Sequence, residues 1–161
     1  MFFEFLFRKL QEKKVDYMVV GGVALVLQGA VRMTADLDLM VALEEHNLTI
    51  FVEAMNEMGF KPKAPVPSEA FISADNRKSW VQDKGMMVFS LYHPGEMFSL
   101  VDVFVQEPVP YSEMRERRDF KSVDDFFIPV ASIQDLIKLK QIAGRPQDLE
   151  DIKALEALSN G

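Results

Sequence analysis

The spacing of apolar positions changes repeatedly along this chain, and each change marks an element. Phe2, Phe3, Leu6 and Leu10 recur at helical spacing and predict an amphipathic helix over 2–13. The run Val15-Asp16-Tyr17-Met18-Val19-Val20 predicts a buried strand, closed by Gly21-Gly22. Val23–Gln28 reads as a short apolar helix bracketed by Gly22 and Gly29, residues suited to helix ends. A second strand carries Asp36 and Asp38 and continues through Leu39-Met40-Val41. Leu48, Phe51, Val52, Met55 and Met58 then place a helix over 46–58, which Gly59 stops.

The next stretch loses all periodicity. Pro62, Pro65 and Pro67 interrupt any regular pattern, so 62–83 reads as an irregular loop, mobile or facing a substrate. Strands follow at Met86–Tyr92 and Leu100–Val105, joined by a turn at His93-Pro94-Gly95-Glu96. A helical region is expected over 111–119 and a further strand over Phe126–Val130. Two final helices, 132–143 and 147–158, are parted by Gly144-Arg145-Pro146, with Pro146 fit for a first helical turn. Mixed helices and strands without a repeat give an α/β (α+β) class.

Composition narrows the partners. With 161 residues the chain is expected to be one domain, residues 1–161, large enough for a substantial core. Its 18 basic against 25 acidic residues give a net charge of −7. That sign disfavours extended nucleic-acid binding, which is driven by cationic contact with phosphates, and favours a small-molecule or protein partner. The absence of cysteine excludes disulfides, zinc–thiolate sites and thiol nucleophiles. The N-terminal run Met1–Arg8 has an early Glu4 and no basic leader, so it reads as a helix rather than a signal peptide. Tyr17–Leu27 is too short for a membrane span, and a cytoplasmic protein with no membrane partner is expected.

The chemistry concentrates on aspartates. Residues i and i+2 of a strand share a face, so Asp36 and Asp38 would stand side by side. Adjacent carboxylates repel, and a hard divalent cation with oxygen ligands relieves that repulsion. A glycine pair between strand and helix lets backbone N–H groups approach a phosphate. Asp102 sits inside the otherwise apolar run Leu100–Val105, where a lone carboxylate is costly unless bonded or metal-bound. If its strand lies beside that of Asp36, three carboxylates converge as needed to hold one or two Mg²⁺ ions at a transferring phosphoryl group. These features suggest a metal–nucleotide site.

The set Gly21-Gly22, Asp36-x-Asp38 and the later Asp102 resembles the nucleotidyltransferase superfamily typified by DNA polymerase beta. The segment Gly21-Gly22-Val23-Ala24…Arg32-Met33-Thr34-Ala35-Asp36-Leu37-Asp38-Leu39 is similar to its small bacterial members, minimal nucleotidyltransferases and abortive-infection type toxins. The tail Leu136-Ile137-Lys138-Leu139-Lys140…Arg145-Pro146-Gln147-Asp148-Leu149-Glu150-Asp151-Ile152 resembles their C-terminal helices. The resemblance implies a mixed sheet flanked by helices, with a helical tail over 132–158 packed on it. It implies Mg²⁺-dependent transfer of a nucleoside monophosphate from a nucleoside triphosphate to a hydroxyl, releasing pyrophosphate. Asp36 and Asp38 would bind metal and triphosphate, Asp102 would help hold metal and activate the hydroxyl, and Gly21 and Gly22 would give the triphosphate backbone donors. A non-catalytic nucleotide-binding module or toxin–antitoxin component on the same fold is the competing expectation.

Several cations and aromatics have two readings each. With the resemblance, Arg32 and Thr34 are expected at the nucleotide site, where Arg32 either meets a phosphate or makes a surface salt bridge and Thr34 could bond locally and hold the loop. Lys140 shares a helix face with Ile133, Leu136 and Ile137, and with the resemblance it is expected to aim at a phosphate. Lys138 lies off that face, and Arg145 with Asp148 or Asp151 is expected to lock the last two helices. Arg115, Arg117, Arg118 and Lys121 alternate with acids and read as a solvated helix face. Trp80 and Tyr92 are expected to pack rather than stack on a base, and His46 and His93 lack ligand spacing. No P-loop lysine motif, Ser–His–Asp order or dinucleotide fingerprint is present.

Overall fold

The computed structural model describes residues 3–160, and at positions 97–99 the backbone alone. Phe2, expected in the first helix, lies outside the described residues. In chain order the elements are α1 Glu4–Glu12, β1 Tyr17–Val20, α2 Gly21–Leu27, β2 Leu37–Val41, α3 Glu45–Glu57, β3 Lys61–Pro62, a 3₁₀ turn Ser68–Ile72, α4 Ala74–Lys84, β4 Val88–His93, β5 Glu96–Phe104, α5 Tyr111–Arg117, β6 Asp119–Val123, β7 Phe126–Val130, α6 Ile133–Ala143 and α7 Pro146–Asn160. The strands form one mixed sheet in the order β3-β4-β5-β2-β1-β7-β6. The α/β class and the flanking helices match the sequence expectation.

Central strands are apolar because both faces are covered. Every residue of β1 is buried, and in β2 all are buried except Asp38. Leu6, Phe7 and Leu10 of α1, Leu48 and Phe51 of α3, and Val101 and Val103 of β5 fill the same core. β1 and β2 are antiparallel with Tyr17 opposite Val41 and Val20 opposite Asp38. β2 and β5 are parallel, with Leu37 opposite Val101 and Asp38 opposite Asp102.

Three expectations are corrected. The stretch 62–83 is not a plain loop: it holds the 3₁₀ turn and α4, and Lys61 and Pro62 pair with β4. Ser73 caps α4 by accepting from the Asn76 N–H, and Gly85 ends it. Few of its residues are apolar, so no helical stripe appears, yet Trp80 stacks on Phe89 with ring centroids 5.2 Å apart. The helix expected over 111–119 stops at Arg117, and 119–123 forms the edge strand β6, paired with β7. Asp36 lies just before β2 rather than within it. Trp80 packs as expected, and the tail divides at Gly144 with Pro146 opening α7.

Candidate active site

The register brings the acids together. In-register residues of a parallel pair project to the same face, so Asp38 and Asp102 stand abreast. Asp36 follows at the mouth of β2, two positions before Asp38. On the far side of Asp102, Ser90 of β4 is its register partner and donates its hydroxyl to Asp102 Oδ1 at 2.6 Å. Ser90 went unnoticed in the sequence, because only strand pairing reveals that it faces the acid.

The glycine pair makes room for this cluster. Gly21 turns the chain from β1 into α2 at φ +70°, and a Cβ there would lie 2.1 Å from Asp38 Oδ2. A Cβ on Gly22 would lie 2.8 Å from Thr34 Oγ1. One glycine therefore seats the carboxylate and the next seats the loop between α2 and β2. Thr34 holds that loop locally, its hydroxyl donating to the Asp36 carbonyl at 3.3 Å. Among the described residues no side chain caps the first turn of α2, which begins beside Asp38.

Asp38 is electrostatically exposed to its own kind. Burial first, then Asp102, then Asp36 push its carboxyl up to about 7, while Lys140 and Arg145 pull the other way. Its carboxylate accepts no hydrogen bond from any described residue. Among the described residues no three Asp, Glu or His side chains are gathered tightly enough to enclose a cation as they stand. The donor set is nonetheless all carboxylate oxygen, with two members abreast and mutually repelling, and such a set fits a hard divalent cation.

Among the cations, Lys140 departs from expectation. Lys140 was expected to aim at a phosphate, but its Nζ is clamped 2.9 Å from Asp151 Oδ2 and 3.2 Å from Asp148 Oδ1 of α7. A lysine on a buried stripe needs a counter-charge, and α7 supplies two. Arg32 forms the salt bridge, its Nη1 sharing Asp151 Oδ2 with Lys140. Arg145 Nε donates to Asp148 Oδ2 at 2.9 Å, as expected for a lock between the last helices, and helps hold Asp148 at about 2. Lys138 is exposed, as expected. His93 is structural: its Nε2 meets the Met58 carbonyl at 2.8 Å.

The basic cluster is solvated at Arg115 and Arg117, as expected, but three of its members also pair with acids of other elements. Arg115 Nε and Arg118 Nη1 donate to Asp16 at 2.9 and 3.0 Å, and Arg117 grips the buried Asp135 at 2.8 and 3.0 Å. Arg115, Arg117 and Arg118 are thus tertiary locks. A cavity of about 790 Å³ lies beside Asp16, at the opposite end of β1 and β2 from Asp38. No helix among the described residues is long and apolar enough to cross a membrane.

No protein-family model matches the chain, and no curated protein matches it in sequence. Solved structures do match. The lincosamide antibiotic adenylyltransferase LnuA, bound to lincomycin, superposes with a TM-score of 0.62 at 16% identity, covering 96% of this chain and 94% of its own. ANT(2'')-Ia, in complex with adenylyl-2''-tobramycin, gives a TM-score of 0.59 at 13% identity over 96% of this chain and 84% of its own. An antigenic nucleotidyltransferase-like protein from Paracoccidioides brasiliensis gives 0.54 at 20% identity over 96% and 73%. The sheet, its flanking helices and the helical tail are thus those of the nucleotidyltransferase fold.

Proposed function

We propose that this protein is an Mg²⁺-dependent nucleotidyltransferase, moving a nucleoside monophosphate from a nucleoside triphosphate to a hydroxyl of a small-molecule or protein acceptor. The observation that carries the reading is Asp38 abreast of Asp102, unbonded and seated against Gly21, on the fold of the antibiotic adenylyltransferases. The acceptor oxygen would bond to the α-phosphorus as the bond to the pyrophosphate oxygen breaks. Asp36, Asp38 and Asp102 would hold one or two Mg²⁺, which supply charge neutralisation for the triphosphate.

The protein's own groups have distinct tasks. Asp102 takes the proton of the attacking hydroxyl, and Ser90 fixes the carboxylate by its bond to Oδ1. The first-turn N–H groups at Gly21 and Gly22 meet the phosphates, since no side chain occupies them. Thr34 keeps Asp36 in place from the loop. Arg32 and Lys140 share Asp151, so a phosphate arriving beside Asp38 competes with that carboxylate for both cations.

The same shared carboxylate favours a second reading, a nucleotide-binding or toxin–antitoxin module without catalysis, because both cations are already neutralised. One experiment separates them. Thermal-shift titration with each nucleoside triphosphate, with and without Mg²⁺, is run on wild type and Asp38→Asn, followed by a pyrophosphate-release screen over hydroxyl acceptors. A metal-dependent rise lost in the variant, with pyrophosphate released, supports transfer. A rise without release for any acceptor favours the binding module, and no rise counts against both.

A further inference from the structure

At the end of the sheet away from Asp38, the cavity of about 790 Å³ is walled by Leu43 after β2, Val105 after β5, Arg77 and Val81 of α4, and Tyr111 and Arg115 of α5. A second cavity of about 500 Å³ shares Leu43 and Arg77 with it. Asp38 lies four or more residues back along β2 from these walls, about 13 Å at the rise of a strand. The two sites are therefore separate.

Arg77 is the unusual member. It is 7% exposed, and no described carboxylate lies within salt-bridge reach of it. Its Nη1 donates to the Phe71 and Ile72 carbonyls at 2.6 and 2.8 Å, and its Nη2 to the Leu43 carbonyl at 3.4 Å. A guanidinium carries five N–H donors, so those three bonds leave donors over. The half-buried guanidiniums of Arg32 and Arg118 each have a carboxylate. Burial alone lowers the Arg77 pKa, the mark of a cation without a counter-charge. Of the acids lining the cavity, Asp16 is taken up by the Tyr111 hydroxyl and by Arg115 and Arg118 at 2.8, 2.9 and 3.0 Å. Glu44 and Glu107 also line the cavity, but both are exposed at its rim, as is Lys78.

We infer that this cavity binds a small organic anion, its carboxylate or phosphate against Arg77 and its apolar body against Leu43, Val81 and Val105. Such a ligand supplies the charge that Arg77 lacks and covers Leu43 and Val81, which are partly exposed. The inference does not depend on the transfer reaction.

Benzoate and phenyl phosphate serve as probes, with benzyl alcohol as the neutral control, titrated while the amide resonances of Leu43, Val81 and Val105 are followed. Saturable shifts are expected with an anion and not with the alcohol, and the tighter of the two probes assigns carboxylate or phosphate. Arg77→Met should weaken binding by about 10- to 100-fold, the loss of a charge-assisted contact. Because Arg77 also ties three carbonyls, Val81→Phe is the second variant: it leaves the guanidinium and fills the apolar half, and should abolish the shifts. Asp38→Asn should bind the probes as wild type does. Shifts absent with both anions, equal for the alcohol, or unchanged in Val81→Phe and Arg77→Met would overturn the inference.

Discussion

Asp16 and Asp38 stand at opposite ends of the β1–β2 pair and are treated in opposite ways. Asp16 receives a tyrosine hydroxyl and two guanidiniums, and next to it Asn47 bonds the Asp16 N–H and carbonyl and the Ala42 carbonyl at 2.8 to 2.9 Å. Asp38 receives no hydrogen bond from the described residues and faces two further acids. One end spends its charges holding elements together. The other leaves like charges facing each other, the feature on which the proposed metal–nucleotide site rests. Burial of a charge by itself does not identify function; burial without partners does.

Removing the unpaired acids is expected to have the largest effect. Asp38→Asn and Asp102→Asn should each lower pyrophosphate release by about 100- to 1000-fold, with circular dichroism unchanged. A comparable loss of folded protein would show that this end is structural too and would erase the contrast.

The paired end should respond through stability instead. Asp16→Ala leaves Arg115 and the Tyr111 hydroxyl without their acceptor and Arg118 with the Tyr17 carbonyl alone, and about 2 kcal/mol of stability should go, a discounted figure because Arg115 is half-exposed. For a chain of this size the melting temperature should fall by about 4–8 °C. Nucleotide affinity should not change in the same protein.

Asp38→Asn without metal should do the reverse. The folded carboxyl is raised to about 7 from 3.8, so between those values the folded state holds a proton the unfolded chain has released. Stability of the wild type therefore falls as pH rises from about 4 to about 7, and the variant escapes that fall. A gain of about 1–2 kcal/mol at pH 8 and none at pH 4 is expected by thermal melts. The smallest effect belongs to Asp148, held at about 2 by Arg145. Its depressed pKa gives stability that is complete above about 4 and lost as pH falls toward 2. Asp148→Asn should remove about 1 kcal/mol of that dependence, discounted because Arg145 is largely exposed.

The acid end was legible in the sequence because its oddities are local. Asp102 interrupts an apolar run, Asp36 and Asp38 alternate, and glycines adjoin a strand end; each is visible without knowing the fold. The opposite end was not. Arg77 sits in a polar helix whose amphipathic signal is absent, behind three prolines that suggest a loop, and it is held by the carbonyls of the 3₁₀ turn and of Leu43 after β2. Strand β6 is an edge strand with both faces largely wet, so its alternation of charge continued the pattern of α5. Lys140 showed the limit most plainly. Its burial followed from helix spacing, but its partners lie on the next helix, and only packing could reveal that α7 supplies them.

Gly21 and Gly85 share nearly the same left-handed backbone, φ +70° and +62°, but not the same surroundings. An added Cβ meets Asp38 within 3 Å at the first and nothing within 4 Å at the second. In a library covering every codon, Gly85 would therefore admit asparagine and aspartate, the residues that tolerate this backbone. Gly21 would return glycine alone among active clones. Reading the two columns side by side would separate what the chain's geometry demands from what its chemistry demands.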